Sequence, residues 1–202
     1  MFKRKILEEG KSYTFCSYFE LPYDPDEVLA QFGYELRTDF LQLPQAQQLP
    51  ARLPALKQEL QEILKLTLLS SETAKREILI APLITEIARF CACPLRIEYP
   101  LNVNDWLKGE LDYLLRTNQT ILVIEAKRDD LTRGFTQLGV ELIALAEAED
   151  DPRLYGAVTT GNVWQFGCLD RASRCITQDL HQFLILEDLD RLAATLIGLL
   201  QG

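Results

Sequence analysis

The stretch Ile121-Leu122-Val123-Ile124-Glu125-Ala126-Lys127 decides the fold class of this 202-residue chain. Its first six residues form a short apolar run with one acidic residue, which is typical of a central strand covered on both faces. Glu125 and Lys127 stand two residues apart, so a strand turns both side chains to the same face. The stretch therefore predicts a buried strand that carries an acid and a base at one end.

A second acid lies in the preceding predicted strand. Asp112 interrupts the otherwise apolar segment Leu111–Leu115, 13 residues before Glu125. If the two strands are neighbours, the two carboxylates come within reach of each other. Carboxylates placed together repel and raise each other's pKa unless a cation lies between them. Oxygen ligands of this kind suit Mg²⁺ or Mn²⁺. Asp112 and Glu125 are therefore predicted metal ligands.

Lys127 has a defined chemical role beside such a metal. Its ammonium group can orient or deprotonate an attacking water and balance negative charge in the transition state. Hydrolysis of a phosphodiester by this route needs no covalent intermediate.

The rest of the chain predicts a mixed sheet flanked by helices, an α/β fold. No glycine-rich phosphate loop follows any predicted strand, which argues against a doubly wound fold. The pattern predicts a helix near residues 24–33 and an extended connector at 41–56. Helices are predicted at 55–69 and 70–91, and Pro82 should kink or split the second. The remaining predicted elements are strands at 95–99, 111–115 and 121–126, a helix at 131–149, strands at 155–159 and 163–169, and a helix at 189–200.

Two segments follow from this order, and we expect them to form one compact unit. Residues 1–69 are predicted to be an N-terminal helical extension, and residues 70–202 the domain that carries the site. No apolar run is long enough to span a membrane, and the start of the chain lacks the apolar segment of a signal peptide. We therefore expect a cytoplasmic protein without a membrane partner. Five cysteines, an odd number, favour free thiols over disulfides.

The net charge of -9 limits the expected affinity for nucleic acid, which depends on Lys and Arg neutralising phosphates. A local basic strip would offset this charge. Its candidates are Arg116, Lys127, Arg128, Arg133, Arg171 and Arg174.

Asp112 together with Glu125-Ala126-Lys127 resembles the core motif of the PD-(D/E)xK nuclease superfamily. The resemblance covers about residues 70–170 and includes a later hairpin with Trp164, similar to that of a subgroup of uncharacterised, mainly cyanobacterial members. It implies a restriction-endonuclease-like fold, in which a mixed sheet carries the motif. One departure is that Leu111, not a proline, precedes Asp112. The hairpin aromatics Trp164 and Phe166 are expected in the core.

The resemblance also implies two further site residues. In the superfamily the helix before the motif contributes a glutamate, for which Glu77 is the first choice and Glu72 and Glu86 are alternatives. Many members place a glutamine in the helix after the motif lysine, and Gln137 matches it. The implied catalytic set is Asp112, Glu125, Lys127, Glu77 and Gln137, with Asp112, Glu125 and Glu77 as metal ligands.

The expected activity is Mg²⁺- or Mn²⁺-dependent phosphodiester hydrolysis by an endo- or exonuclease, with DNA favoured over RNA as the substrate. The acidic charge and the lack of a recognition domain favour an alternative, a catalytically silent interaction module or a subunit that binds nucleic acid with a partner. A homodimer or a protein partner is compatible with both hypotheses. A third hypothesis, hydrolysis of another phosphoester such as a nucleotide, uses the same site.

Overall fold

Seven strands form one mixed sheet in the computed structural model, which describes residues 5–117 and 120–202. The strands are β1 (Glu35–Asp39), β2 (Leu95–Asn104), β3 (Leu107–Arg116), β4 (Ile121–Ala126), β5 (Arg153–Thr159), β6 (Val163–Asp170) and β7 (Cys175–Leu184). Their spatial order is β1-β7-β6-β5-β4-β3-β2. The prediction of an α/β fold with a mixed sheet flanked by helices is therefore confirmed.

Two of the strand pairs are parallel, β4 with β5 and β1 with β7, and the other four are antiparallel. A parallel pair needs a long crossover, which a helix usually provides. Between β4 and β5 this crossover is the longest helix, Leu131–Ala148. It begins just after the predicted site residues, so its first turns pass beside them.

Helices cover both faces of the sheet and enclose two apolar cores. One face carries α1 (Phe15–Glu20), α2 (Pro25–Ala30) and the crossover helix, which is α6. The other face carries α3 (Leu53–Ile63), α5 (Ala81–Cys91) and α7 (Leu189–Gln201). The short helix α4 (Glu72–Lys75) precedes α5. The hairpin aromatics Trp164 and Phe166 are fully buried in the core with α3, α5 and α7, as predicted.

α6 is enclosed on all sides, because every residue from Gly134 to Ala146 is buried. The sheet covers one side of the helix, and α1 and α2 pack against it from the N-terminal part of the chain. A helix that is buried all round is normally apolar throughout. Any polar side chain in its middle therefore needs a specific partner.

The predicted break at Pro82 takes the form of a π-helical segment, Arg76–Ile80, between α4 and α5. Ala81 N–H donates to the carbonyl of Arg76, five residues back. Pro82 has no N–H to donate to an earlier carbonyl, and its ring crowds the preceding turn, so the helix widens there. The widened turn changes which side chains face the sheet.

The sequence interpretation missed β1 and β7, and it placed α3 too late. β1 is almost entirely polar and exposed because it lies at the sheet edge, so it lacks the apolar alternation of a strand. A register shift between β6 and β7 interrupts the alternation of β7. The segment 1–69, expected to be a helical extension, thus also gives the sheet β1. The helix predicted at 55–69 begins at Leu53 and ends at Ile63.

Within the described part of the chain, no helix has both the length and the apolar character that a membrane span requires. All five cysteines are free, which agrees with the expected absence of disulfides.

The packing of α7 against the extended connector gives a test of the fold. A Cβ atom on Gly198 would lie 2.4 Å from the backbone oxygen of Pro44. Gly198→Ala should therefore lower the free energy of unfolding by about 2 kcal/mol, since the overlap outweighs the gain in helix propensity. Urea unfolding measures this, with Gln201→Ala at the exposed end of α7 as the control. Unchanged or higher stability of Gly198→Ala would contradict the packing.

Candidate functional site

The site lies where β3 and β4 separate. The antiparallel register pairs Tyr113–Arg116 with Ile121–Ile124 and ends there, although both strands continue. Beyond this point the Asp112 side chain replaces a backbone acceptor of β3: its Oδ2 accepts a hydrogen bond of 2.8 Å from Ala126 N–H. The strands are neighbours, as predicted, and Asp112 is held beside the end of β4.

Glu125 and Lys127 meet on one face of β4, as their spacing predicted. Lys127 Nζ donates to Glu125 Oε1, and both side chains are buried. Lys127 N–H is bound to the carbonyl of Thr159 at the end of β5 (2.7 Å). Gly134 on α6 leaves room for the lysine stem, because a Cβ atom there would lie 2.8 Å from Lys127 Cγ. The base of the lysine is thus fixed from two sides.

α6 adds two polar side chains to this face. Gln137 Nε2 donates to Glu125 Oε1 at 2.7 Å and to Glu141 Oε1 at 2.9 Å. Glu141 lies one helical turn after Gln137. All three side chains are at most 1% exposed. The structure therefore brings Asp112, Glu125, Lys127 and Gln137 together and adds Glu141.

Three buried oxygens in this group have no hydrogen-bond donor among the described residues: Glu125 Oε2, Gln137 Oε1 and Glu141 Oε2. An unpaired buried polar atom costs about 1–3 kcal/mol, so such atoms need an explanation. A cation beside Glu125 would satisfy the free oxygen of that residue.

The donor set fits the divalent cation that the sequence predicted. Mg²⁺ is usually held by one or two carboxylates, with waters and substrate phosphate oxygens as the other ligands. Asp112 and Glu125 are the two carboxylates in place to hold it. Among residues 5–117 and 120–202, no group of three or more His, Cys, Asp or Glu side chains is arranged as a metal site. Any cation here would therefore take most of its ligands from water and substrate.

Burial and neighbouring charges shift the pKa values of Glu125, Glu141 and Lys127. Burial, and then the charge of Asp112, raise the pKa of Glu125 to about 8. Burial, and then the charge of Glu125, raise the pKa of Glu141 well above its ordinary value. For Lys127, burial acts to lower the pKa, but the carboxylate of Glu125 outweighs it and the pKa is raised. At neutral pH the lysine is charged and the two glutamates retain at least one proton.

Arg76, from the π-helical segment, occupies the open side of Asp112. Its Nη1 lies 3.4 Å from Asp112 Oδ1, and its Nη2 lies 3.4 Å from Glu98 Oε1 on β2. Its guanidinium also lies over the ring of Tyr113, with 5.4 Å from Cζ to the ring centroid. A basic side chain, not an acidic one, therefore reaches Asp112 from this helix.

None of the three candidate helix glutamates contacts Asp112 or Glu125. Glu77 is exposed and lines a surface hollow with residues of α3, because the π-helical turn directs Arg76 to the site instead. Glu86 is buried but pairs with Arg89 at 2.8 Å and with Arg52 at 3.4 Å. Glu72 is half-buried in the first turn of α4. The geometry does not assign a metal ligand to this helix.

Five of the six basic residues expected to form a strip divide between the two ends of α6, and the sixth, Arg174, donates to the carbonyls of Phe32 and Gly33. Lys127, Arg128 and Arg133 lie at its start. At its end, Arg116 pairs with Glu149 at 2.6 Å, and Arg171 donates to the carbonyl of Glu149. An α-helix of this length measures about 27 Å, so the two groups do not form one continuous patch.

Sequence reasoning missed Glu141 and Arg76. The signal for Glu141 was present: an acid four residues after Gln137, inside a run of Leu, Ile, Val and Ala, shares a helix face with it. Arg76 had no such signal, because its direction depends on the π-helical turn.

No protein-family model matches the chain. A search of curated proteins finds no relative either. The likeness to PD-(D/E)xK nucleases therefore rests on the residues of the site and on their spacing.

The raised pKa of Glu125 predicts how stability depends on pH. A group whose pKa is higher in the folded state stabilises the fold while protonated, so this contribution is present below about pH 4.5 and is lost as pH rises through about 8. In EDTA, the free energy of unfolding should fall between pH 5 and pH 8.5, as urea unfolding at a series of pH values would show.

Glu125→Gln cannot ionise, so its stability should fall less steeply over the same range. Glu77→Gln, an exposed glutamate on the π-helical segment, should keep the wild-type slope. Equal slopes for Glu125→Gln and the wild type would show that Glu125 does not titrate in this range.

Proposed function

We propose that this chain is a metal-dependent phosphodiester hydrolase that acts on nucleic acid, on DNA in preference to RNA. The observation that carries the proposal is the convergence of Asp112, Glu125 and Lys127 at the point where β3 and β4 separate. Two carboxylates and an ammonium group held by backbone contacts are the parts that metal-assisted hydrolysis requires.

Each residue has a role that follows from its contacts. Asp112 and Glu125 would hold Mg²⁺ or Mn²⁺, which supplies Lewis-acid activation of water and of the phosphoryl oxygen. Lys127, fixed beside Glu125, orients the attacking water and balances the charge that develops on the phosphate oxygens. Gln137 holds Glu125 Oε1 in place from α6.

The net negative charge favours contact with only a short part of a nucleic-acid substrate. A net charge of -9 opposes a long polyanion, and the basic residues divide between two ends of α6. We infer weak, salt-sensitive binding of a short stretch of nucleic acid, or binding that a protein partner assists.

Cleavage assays with Mg²⁺ and Mn²⁺ on single-stranded DNA, duplex DNA and RNA test the proposal. The wild type should cleave at least one substrate. Asp112→Asn, Glu125→Gln and Lys127→Met should each lower the rate about 100-fold or more, because each removes a group that acts on the developing charge. Glu110→Gln, an exposed acid two residues before Asp112, is the control and should keep wild-type activity. Absence of metal-dependent cleavage on every substrate would refute the proposal.

Arg76 favours a second candidate function, a catalytically silent module that binds a partner. Arg76 balances the charge of Asp112, and Lys127 balances that of Glu125, so the site is electrostatically satisfied without a metal. In that case the arginine is a permanent substitute for the cation.

Arg76→Met separates the two candidates. In a metal-dependent enzyme the variant should bind Mn²⁺ about two- to fivefold more tightly, because a partly buried ion pair worth up to about 1 kcal/mol no longer competes for Asp112. Isothermal titration calorimetry measures the affinity, with Arg89→Met, whose arginine pairs with Glu86, as the control. If millimolar Mn²⁺ binds neither the wild type nor Arg76→Met, the silent module is the better account.

A further inference from the structure

Glu141 places a carboxyl group at a position where an apolar core side chain would be expected. It is 0% exposed in the middle of α6, and its sequence neighbours are Val140 and Leu142. Taking a carboxyl out of water is costly unless it is neutral or well paired. An apolar side chain of similar size would fill the same space without that cost.

The side-chain hydrogen bond of Glu141 leads to Glu125. Gln137 Nε2 bridges Oε1 of both glutamates, at 2.7 Å from Glu125 and 2.9 Å from Glu141. Arg and Lys side chains contact Glu125 and Asp112, but among the described residues none makes a salt bridge with Glu141. Glu141 is therefore linked to the site through the Gln137 amide.

We propose that Glu141 is a positioning residue for Glu125: its Oε1 accepts a hydrogen bond from Gln137 Nε2 and so fixes the amide that also donates to Glu125 Oε1. Lys127 and the Gln137 amide then hold Glu125 in one rotamer, oriented toward Asp112. Supporting hydrogen bonds of this kind commonly change metal affinity 10- to 100-fold when they are removed. This inference rests on the proposed function, since Glu125 is the metal ligand it serves.

A residue needed only for packing would behave differently. If Glu141 merely fills space, an apolar replacement keeps both the fold and the metal affinity. If it positions Glu125, the same replacement removes the cost of a buried carboxyl but leaves the Gln137 amide without the acceptor that fixes it beside Glu125. Stability and metal affinity then change in opposite directions.

The experiment uses the full chain with Glu141→Leu and Glu141→Gln, and measures Mn²⁺ affinity by calorimetry and thermal unfolding in EDTA. Glu141→Leu should melt at or above the wild-type temperature and bind Mn²⁺ at least tenfold more weakly. Glu141→Gln retains an oxygen that accepts from Gln137 Nε2 and should bind Mn²⁺ within about threefold of the wild type.

Two results would overturn the inference while leaving the proposed function in place. One is wild-type Mn²⁺ affinity in Glu141→Leu. The other is a tenfold loss in Glu141→Gln, which would also decide the question if Glu141→Leu does not fold. A wild-type protein that does not bind Mn²⁺ would instead overturn the proposed function and this inference with it.

Discussion

The buried carboxylate of Glu125 is the constraint on which the site depends. It lies at the end of the central strand β4 with less than 2% of its surface exposed, so its charge has to be balanced by protein groups. Lys127 provides the balancing charge, and Gln137 provides a hydrogen bond from α6. The burial of α6 by α1 and α2 is what removes water from these contacts. The N-terminal helices therefore influence the electrostatics of the site, and α1 also places the Phe19 ring beside Lys127, with 5.2 Å from Nζ to the ring centroid.

The pairing of acidic with basic side chains also explains why the site is stable without a metal ion. Asp112 has Arg76 and the Ala126 N–H as partners, and Glu125 has Lys127. The Arg76 side chain is 18% exposed and is also held by Glu98, so a cation at Asp112 would have to compete with this ion pair. Only the three unpaired oxygens remain unaccounted for, and they all belong to the buried glutamates and Gln137. Of the two proposed metal ligands, Glu125 is thus the one with a buried oxygen, Oε2, that lacks a partner among the described residues.

The central part of the fold and the centre of the site were predictable because local patterns determine them. The apolar run of β4 and the two-residue spacing of Glu125 and Lys127 required only that the segment be a strand. β1 was not predictable, since a polar edge strand has no alternation to detect. Glu77 lies away from Asp112 for a geometric reason: the π-helical turn before Pro82 directs Arg76 to Asp112 instead. Such a turn is a tertiary feature that spacing alone does not reveal.

The central claim is that Asp112 and Glu125 together hold a divalent cation, and anomalous X-ray scattering from crystals grown with Mn²⁺ tests it most directly. The account predicts one strong peak at about 2 Å from an oxygen of Asp112 and an oxygen of Glu125, with Arg76 displaced from Asp112. Lys127 and Gln137 should keep their contacts with Glu125. A structure at millimolar Mn²⁺ that shows no peak between these carboxylates, with Arg76 still paired to Asp112, would contradict the account.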